Sequence, residues 1–186
     1  MLHKIKNIIK PYMPANTVEH RSKAVIYREA EHINGFRNEN YRVFLAGPYF
    51  NLDLWYEIEW QKRYLNKLQM HHKKPHLFHA QHHAGEIDEH RKRHYQEHVV
   101  ESIPFHKKIL EDHRKRLSAI LEIMPEKTYK KIVKISMKHH GTPEYFVYDK
   151  VNSQFFFVAE HIGTETRKWI SLVRDKYHLA NVVAVN

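Results

Sequence analysis

The chain has 186 residues, with 31 Lys and Arg against 21 Asp and Glu, and so carries a formal net charge of +10 before any of its 18 histidines is protonated. That balance excludes an acidic binding protein and points toward polyanions, nucleic acid first and an acidic membrane surface second. The absence of cysteine excludes disulfides, thiolate zinc sites and thiol nucleophiles together, which leaves chemistry to carboxylates, imidazoles, amines and hydroxyls.

At 42% hydrophobic residues the chain has enough apolar material for a real core. Met1 to Lys10 carries lysines every few residues and no apolar run of signal-peptide length. No stretch approaches the roughly 20 apolar residues that span a bilayer. The expectation is a soluble protein of a reducing compartment, the cytoplasm of its own cell or of a host.

Val18, Val25, Ile26, Ala30 and Ile33 recur at helical spacing between the N-cap types Asn16 and Thr17 and the stop at Gly35, which predicts a first helix over 17–33. Residues 41–46 (YRVFLA) form a β-type run closed by Gly47-Pro48. Leu54, Trp55, Ile58, Leu65 and Leu68 mark a second helix reaching Met70, and the histidine-rich stretch 71–85, interrupted by Pro75, reads as a loop. Residues 86–101 and 105–124 read as two charged amphipathic helices parted near Pro104. After Pro125, Tyr129, Ile132, Val133 and Met137 line one face of a helix that ends at His139-His140-Gly141.

The character then changes. Residues 144–149 (EYFVYD) and 154–160 (QFFFVAE) are β-rich runs joined by a turn of hairpin length, Lys150-Val151-Asn152-Ser153. The second run is apolar on both faces, as a buried central strand is. Gly163-Thr164 opens a helix with Trp169, Leu172, Val173 and Tyr177 on one side, and residues 180–185 (ANVVAV) close the chain as another apolar strand. The expected organisation is a mainly helical region over 1–125, with room in it for a first core helix and strand, followed by an α/β core over 126–186 ordered helix, strand, strand, helix, strand.

Gly141-Thr142-Pro143-Glu144, the run Phe155-Phe156-Phe157-Val158-Ala159-Glu160-His161, the helix with Lys168-Trp169-Ile170 and the Val-rich last strand together resemble the PD-(D/E)xK nuclease superfamily and, within it, the virus-type replication-repair nuclease (VRR-NUC) family. That pattern is a glycine shortly before Pro-Asp, a strand ending in Glu-x-Lys, a helix with Gln three residues before Trp, and a final strand. The resemblance covers residues 126–186 and implies a restriction-endonuclease-like core that hydrolyses phosphodiester bonds of DNA with Mg²⁺ or Mn²⁺. In that chemistry two carboxylates at adjacent strand ends hold the ion and a nearby lysine orients or deprotonates the attacking water.

Matched to the pattern, Glu144 stands at the family's Asp, Ala159 at its second carboxylate, His161 at its lysine and Thr166 at its Gln. Glu160 reaches the site only if a bulge turns it back, because side chains of a strand alternate between faces. The resemblance therefore implies Glu144 and Glu160 as metal ligands and His161 as ligand or base; separately, Arg167 and Lys168 in the first turns of the following helix and the basic pair Lys130-Lys131 are expected on phosphates. An acidic ligand on the first core helix would be Glu19 or Glu29.

Histidines supply a separate pattern. His90, His94 and His98 recur every four residues, a face able to take Zn²⁺, Ni²⁺ or Cu²⁺, but Ile87, Tyr95 and Val99 share it and favour imidazoles that merely flank an apolar stripe. His79-Ala80-Gln81-His82-His83 has the spelling of a membrane desaturase box without the spanning helices such a box needs. HExxH, GxSxG and phosphate-cradling glycine loops are absent from the sequence. Besides a metal-dependent DNA nuclease, the sequence admits a catalytically silent module of the same fold that binds nucleic acid or a partner protein, and a histidine-rich metal-binding protein. Oligomeric state is left open.

Overall fold

The computed structural model describes residues 35–37, 39–74 and 89–184. The helix expected over 17–33, with Glu19 and Glu29, and the histidines between 75 and 88 lie outside them. In chain order the elements are β1 (Phe36–Arg37), β2 (Tyr41–Leu45), α1 (Gly47–Phe50), α2 (Leu54–Lys73), α3 (Glu89–Leu121), α4 (Glu126–His139), β3 (Tyr145–Asp149), β4 (Gln154–Ala159), α5 (Thr164–Ile170), a π-helical turn (Ser171–Lys176) and β5 (Asn181–Ala184). The protein is thus a mixed α/β chain. It divides into two compact units, one of residues 1–53 with 115–186 and one of residues 54–114.

The first unit holds a sheet ordered β1-β2-β3-β4-β5. Neighbours pair antiparallel from β1 to β4, and β5 joins β4 in parallel. A parallel neighbour needs a crossover, which α5 and its π-helical extension supply. The C-terminal order helix, strand, strand, helix, strand is the one expected from the sequence. Edge strand β1 was not expected.

Alternation along the strands builds a core on each side of the sheet. Tyr41, Val43, Tyr145, Val147 and Val158 cluster on one face. On the other, Phe44, Phe146 and Phe157 meet Tyr49 and Phe50 of α1, Tyr129 of α4 and Trp169 of α5, all essentially without exposure. Their rings pack closely, with centroids 4.9 Å apart for Phe50 and Phe157, 4.8 Å for Phe157 and Trp169 and 5.6 Å for Phe50 and Tyr129.

Polar atoms carried into this core are paired, as burial demands. Tyr129 donates its hydroxyl to the Tyr49 carbonyl oxygen at 2.6 Å, and the Trp169 indole N–H donates to Ser136 Oγ at 2.8 Å. Burial pushes both phenols, Tyr49 and Tyr129, well above the ordinary tyrosine range, so they stay neutral. The β3–β4 turn is fixed by Asp149, whose carboxylate accepts the N–H groups of Val151 (2.9 Å) and Asn152 (3.1 Å) and the Asn152 side-chain amide (2.7 Å). Because Asp149 is buried, Asp149→Ala removes three bonds at once and is expected to lower stability by about 1–3 kcal/mol, read as a lower urea midpoint at unchanged slope.

Four further details depart from the sequence reading. Helix α2 extends through His71–Lys73, where a loop was expected. Helix α3 runs through Pro104 instead of stopping there. An interior proline costs about 3 kcal/mol, but Val99 before it and Leu110 after it are both buried, so the apolar stripe is continuous and packing outweighs the lost bond. On α4, Met137 is exposed and Ser136 is buried, because Ser136 is the partner of the Trp169 indole. Tyr177 is also exposed, since its N–H bonds five residues back to the Leu172 carbonyl and the widened turn rotates it off the face that carries Val173.

Candidate functional site

The register of β3 on β4 pairs Tyr145 with Val158 and continues without interruption to Asp149 and Gln154. Extended one step, it sets Glu144 across from Ala159, on the face that carries Phe146 and Phe157. The main chain of Glu144 is anchored on the other side by β2, whose following residue Ala46 donates its N–H to the Glu144 carbonyl at 2.9 Å. The carboxylate therefore emerges from a fixed backbone at the corner of three strands.

Two groups meet it. The main-chain N–H of Glu160 donates to Glu144 Oε2 at 2.8 Å, and His161 Nδ1 lies 3.6 Å from Glu144 Oε1. The Glu144 side chain keeps 34% of its exposure and His161 keeps 83%, so the pair opens to solvent. A charge-assisted bond from a peptide N–H is among the stronger hydrogen bonds and ties the start of β3 to the end of β4.

The Gly141–Glu144 segment is held by its surroundings. A Cβ on Gly141 would fall 2.2 Å from the Glu165 carbonyl oxygen and 2.7 Å from the Thr166 nitrogen, so only glycine lets the first turn of α5 pass this close. The preceding residue, His140, takes the left-handed position that ends α4 (φ 52°) and returns its N–H to the Ser136 carbonyl. Thr142 donates its hydroxyl to Asn51 Oδ1 at 2.6 Å. At the end of α4, desolvation first and then the cations Lys168 and Lys138 push the His139 imidazole below its ordinary value. Asn51 and His139 are neighbours of the site that sequence reasoning missed. Asn51 is 91 positions from Thr142, and no local pattern links the two.

Of the residues singled out from the sequence, the structure brings together Glu144 and His161 with the main chain of Glu160. Pairing of β4 is regular with β3 through Val158 and with β5 through Ala159, which is fully buried and, by that alternation, faces the same way as Glu144. Among the described residues no group of three or more His, Asp and Glu side chains is placed to hold a metal ion. The groups seen to meet here are the Glu144 carboxylate, one oxygen of which accepts the Glu160 peptide N–H, and the His161 imidazole.

The basic residues are more coherent. Lys127, Lys130, Lys131, Lys134 and Lys138 of α4 are all exposed, opposite the buried Tyr129, Ile132, Val133 and Ser136. Lys130 is paired with Glu126 at 2.6 Å, and Lys131 sits 4.0 Å over the centre of the Tyr177 ring. Glu126 is the helix's one acidic residue. Arg167 and Lys168 are exposed on α5, with Lys168 close enough to influence His139. The side chains of His90 and His94 lie outside the described residues, whereas His98 is exposed and 3.5 Å from Ser102 Oγ.

Comparison of the chain with protein-family models, with curated proteins and with solved structures finds no match. Among the described residues no helix is long and apolar enough to cross a membrane.

Proposed function

We propose that the chain is a nucleic-acid-binding protein built on a restriction-endonuclease-like core, and that it holds the phosphate backbone along α4. The observation that carries this reading is the lysine stripe. Lys127, Lys131, Lys134 and Lys138 follow one another by three or four residues, so they share a face with almost no opposing charge. Arg167 and Lys168 add two further exposed cations on α5. Such an array binds by neutralising phosphates and releasing counterions, which makes affinity fall steeply with salt. Binding without cleavage is the activity favoured at Glu144, because the position across from it is an alanine.

The test is duplex DNA binding over a series of salt concentrations. Wild type is expected to lose affinity linearly on a log–log scale, and replacing Lys131, Lys134 and Lys138 together with glutamine should flatten the slope by about three, close to 0.9 for each phosphate contact. Binding that ignores salt, or an unchanged slope in the triple variant, removes the reading.

A second reading is metal-dependent phosphodiester hydrolysis of DNA, with Glu144 and Glu160 as ligands for Mg²⁺ or Mn²⁺ and His161 as ligand or base. It is favoured by the contact between Glu144 and His161. Plasmid nicking in either metal separates the two. The binding reading expects no nicking above a no-protein control, whereas nicking by wild type that disappears in Glu144→Ala selects hydrolysis.

A further inference from the structure

The unit formed by residues 54–114 exposes aromatic rings in an ordered array. Helix α2 carries Tyr56, Trp60 and Tyr64 at four-residue spacing, hence on one face. Tyr56 is 65% exposed, Trp60 43%, and Phe105 of α3 61%. Trp60 and Tyr64 stack with centroids 5.2 Å apart and planes 5° from parallel. The His106 ring meets Tyr64 edge-on at 4.6 Å, and Phe105 meets His106 edge-on at 5.3 Å. Four rings thus run from α2 to α3, and the outer two, Trp60 and Phe105, face solvent.

His106 is the fixed rung of this ladder. Its Nδ1–H donates to Oε1 of the buried Gln61 at 2.9 Å. Burial, and after it the nearby His98, push the His106 imidazole below its ordinary value, which keeps it neutral at pH 7. Exposed cations flank the rings. Exposed Arg63 and Lys67 follow Trp60 and Tyr64 by three residues, and Lys108 follows Phe105 by three. Glu59 is turned onto Lys62, while Glu57 and Glu101 lie one turn before Trp60 and Phe105.

We propose that this ladder is a stacking platform for the bases of single-stranded nucleic acid, with Arg63 and Lys67 meeting its phosphates. The proposal rests on the nucleic-acid reading above and specifies the state of the strand. Every base has a π face, so an exposed indole held flat on the half-buried Tyr64 ring binds bases with little regard to sequence, and flanking cations hold the backbone. A duplex keeps its base faces stacked internally and has none to offer. A second copy of the chain would bring the same basic rim against itself, so charge complementarity selects a polyanion.

The experiment uses the full chain with a fluorescein-labelled oligothymidine, and with duplex DNA as the second arm. Trp60→Ala is expected to weaken oligothymidine binding about tenfold, the loss of one stacking contact, and to leave duplex binding unchanged. Trp60→Phe should keep most of the affinity while abolishing the tryptophan quenching that oligothymidine causes in wild type. Equal oligothymidine affinity for wild type and Trp60→Ala, with duplex binding intact, overturns the platform alone. Self-association that depends on Trp60, seen by sedimentation without any change in oligothymidine affinity, overturns it in favour of a contact between copies. Failure of wild type to bind either nucleic acid overturns the broader reading and the platform with it.

Discussion

Replacing Trp169 with alanine is expected to cost about 3–5 kcal/mol of stability, the range for truncating a buried aromatic side chain. Trp169 has no exposed surface, packs edge-on against Phe157 and donates its indole N–H to Ser136. Truncation opens a cavity between α5 and the sheet and leaves the Ser136 hydroxyl without its donor. Both effects act in the same direction. The measurement is the urea midpoint at constant slope. A loss below about 1 kcal/mol, the level of an ordinary surface substitution, would mean that α5 is not docked on Phe157 as described.

Gly141→Ala is the second large effect. The added methyl would meet the carbonyl oxygen and carbon of Glu165 at 2.2 and 2.3 Å, and both belong to the main chain of α5 rather than to a side chain that can swing away. Either α5 shifts or the end of α4 unwinds. Overpacking of this kind costs about 1–3 kcal/mol and sometimes more, and the rigidity of the neighbour places Gly141→Ala at or above the top of that range. Gly163→Ala is the control. A Cβ there meets nothing within 4 Å, so the same chemical change should move stability by less than about 0.5 kcal/mol. Equal effects at the two positions, by the same denaturation measurement, would refute the close approach.

Much of the sheet unit was legible because its signals are local. Residues 145–159 alternate, turn and alternate again, and Asp149 with Asn152 supplies the turn chemistry within four residues. The C-terminal end of α4 was legible from His139-His140-Gly141, although the left-handed residue is His140 and the glycine is reserved for contact with α5. What escaped depends on distant partners. Nothing near Pro104 announces that buried Val99 and Leu110 carry the helix across it, and nothing near Ser136 announces a tryptophan 33 positions later. At the candidate site, the family resemblance put Ala159 at the second carboxylate, and alternation turned Glu160, the residue expected as ligand, to the opposite face unless a bulge brought it back. The peptide N–H of Glu160 on the Glu144 carboxylate was not legible, because sequence patterns describe side chains and this bond comes from the backbone.

The seam between β2 and β3 carries a kinetic consequence. Its register joins Tyr41 to Asp149 and Leu45 to Tyr145, partners about a hundred residues apart, so closing it confines a very long loop, at an entropic cost that rises with the logarithm of loop length. The β3–β4 hairpin confines only its own turn. Assembly of the sheet therefore starts from its local ribbons, β1–β2 and β3–β4, and β2 waits for its partner β3 until the intervening hundred residues have been made. Until then the edge of YRVFL that takes β3 has no mate, which leaves this stretch open to wrong pairing during synthesis.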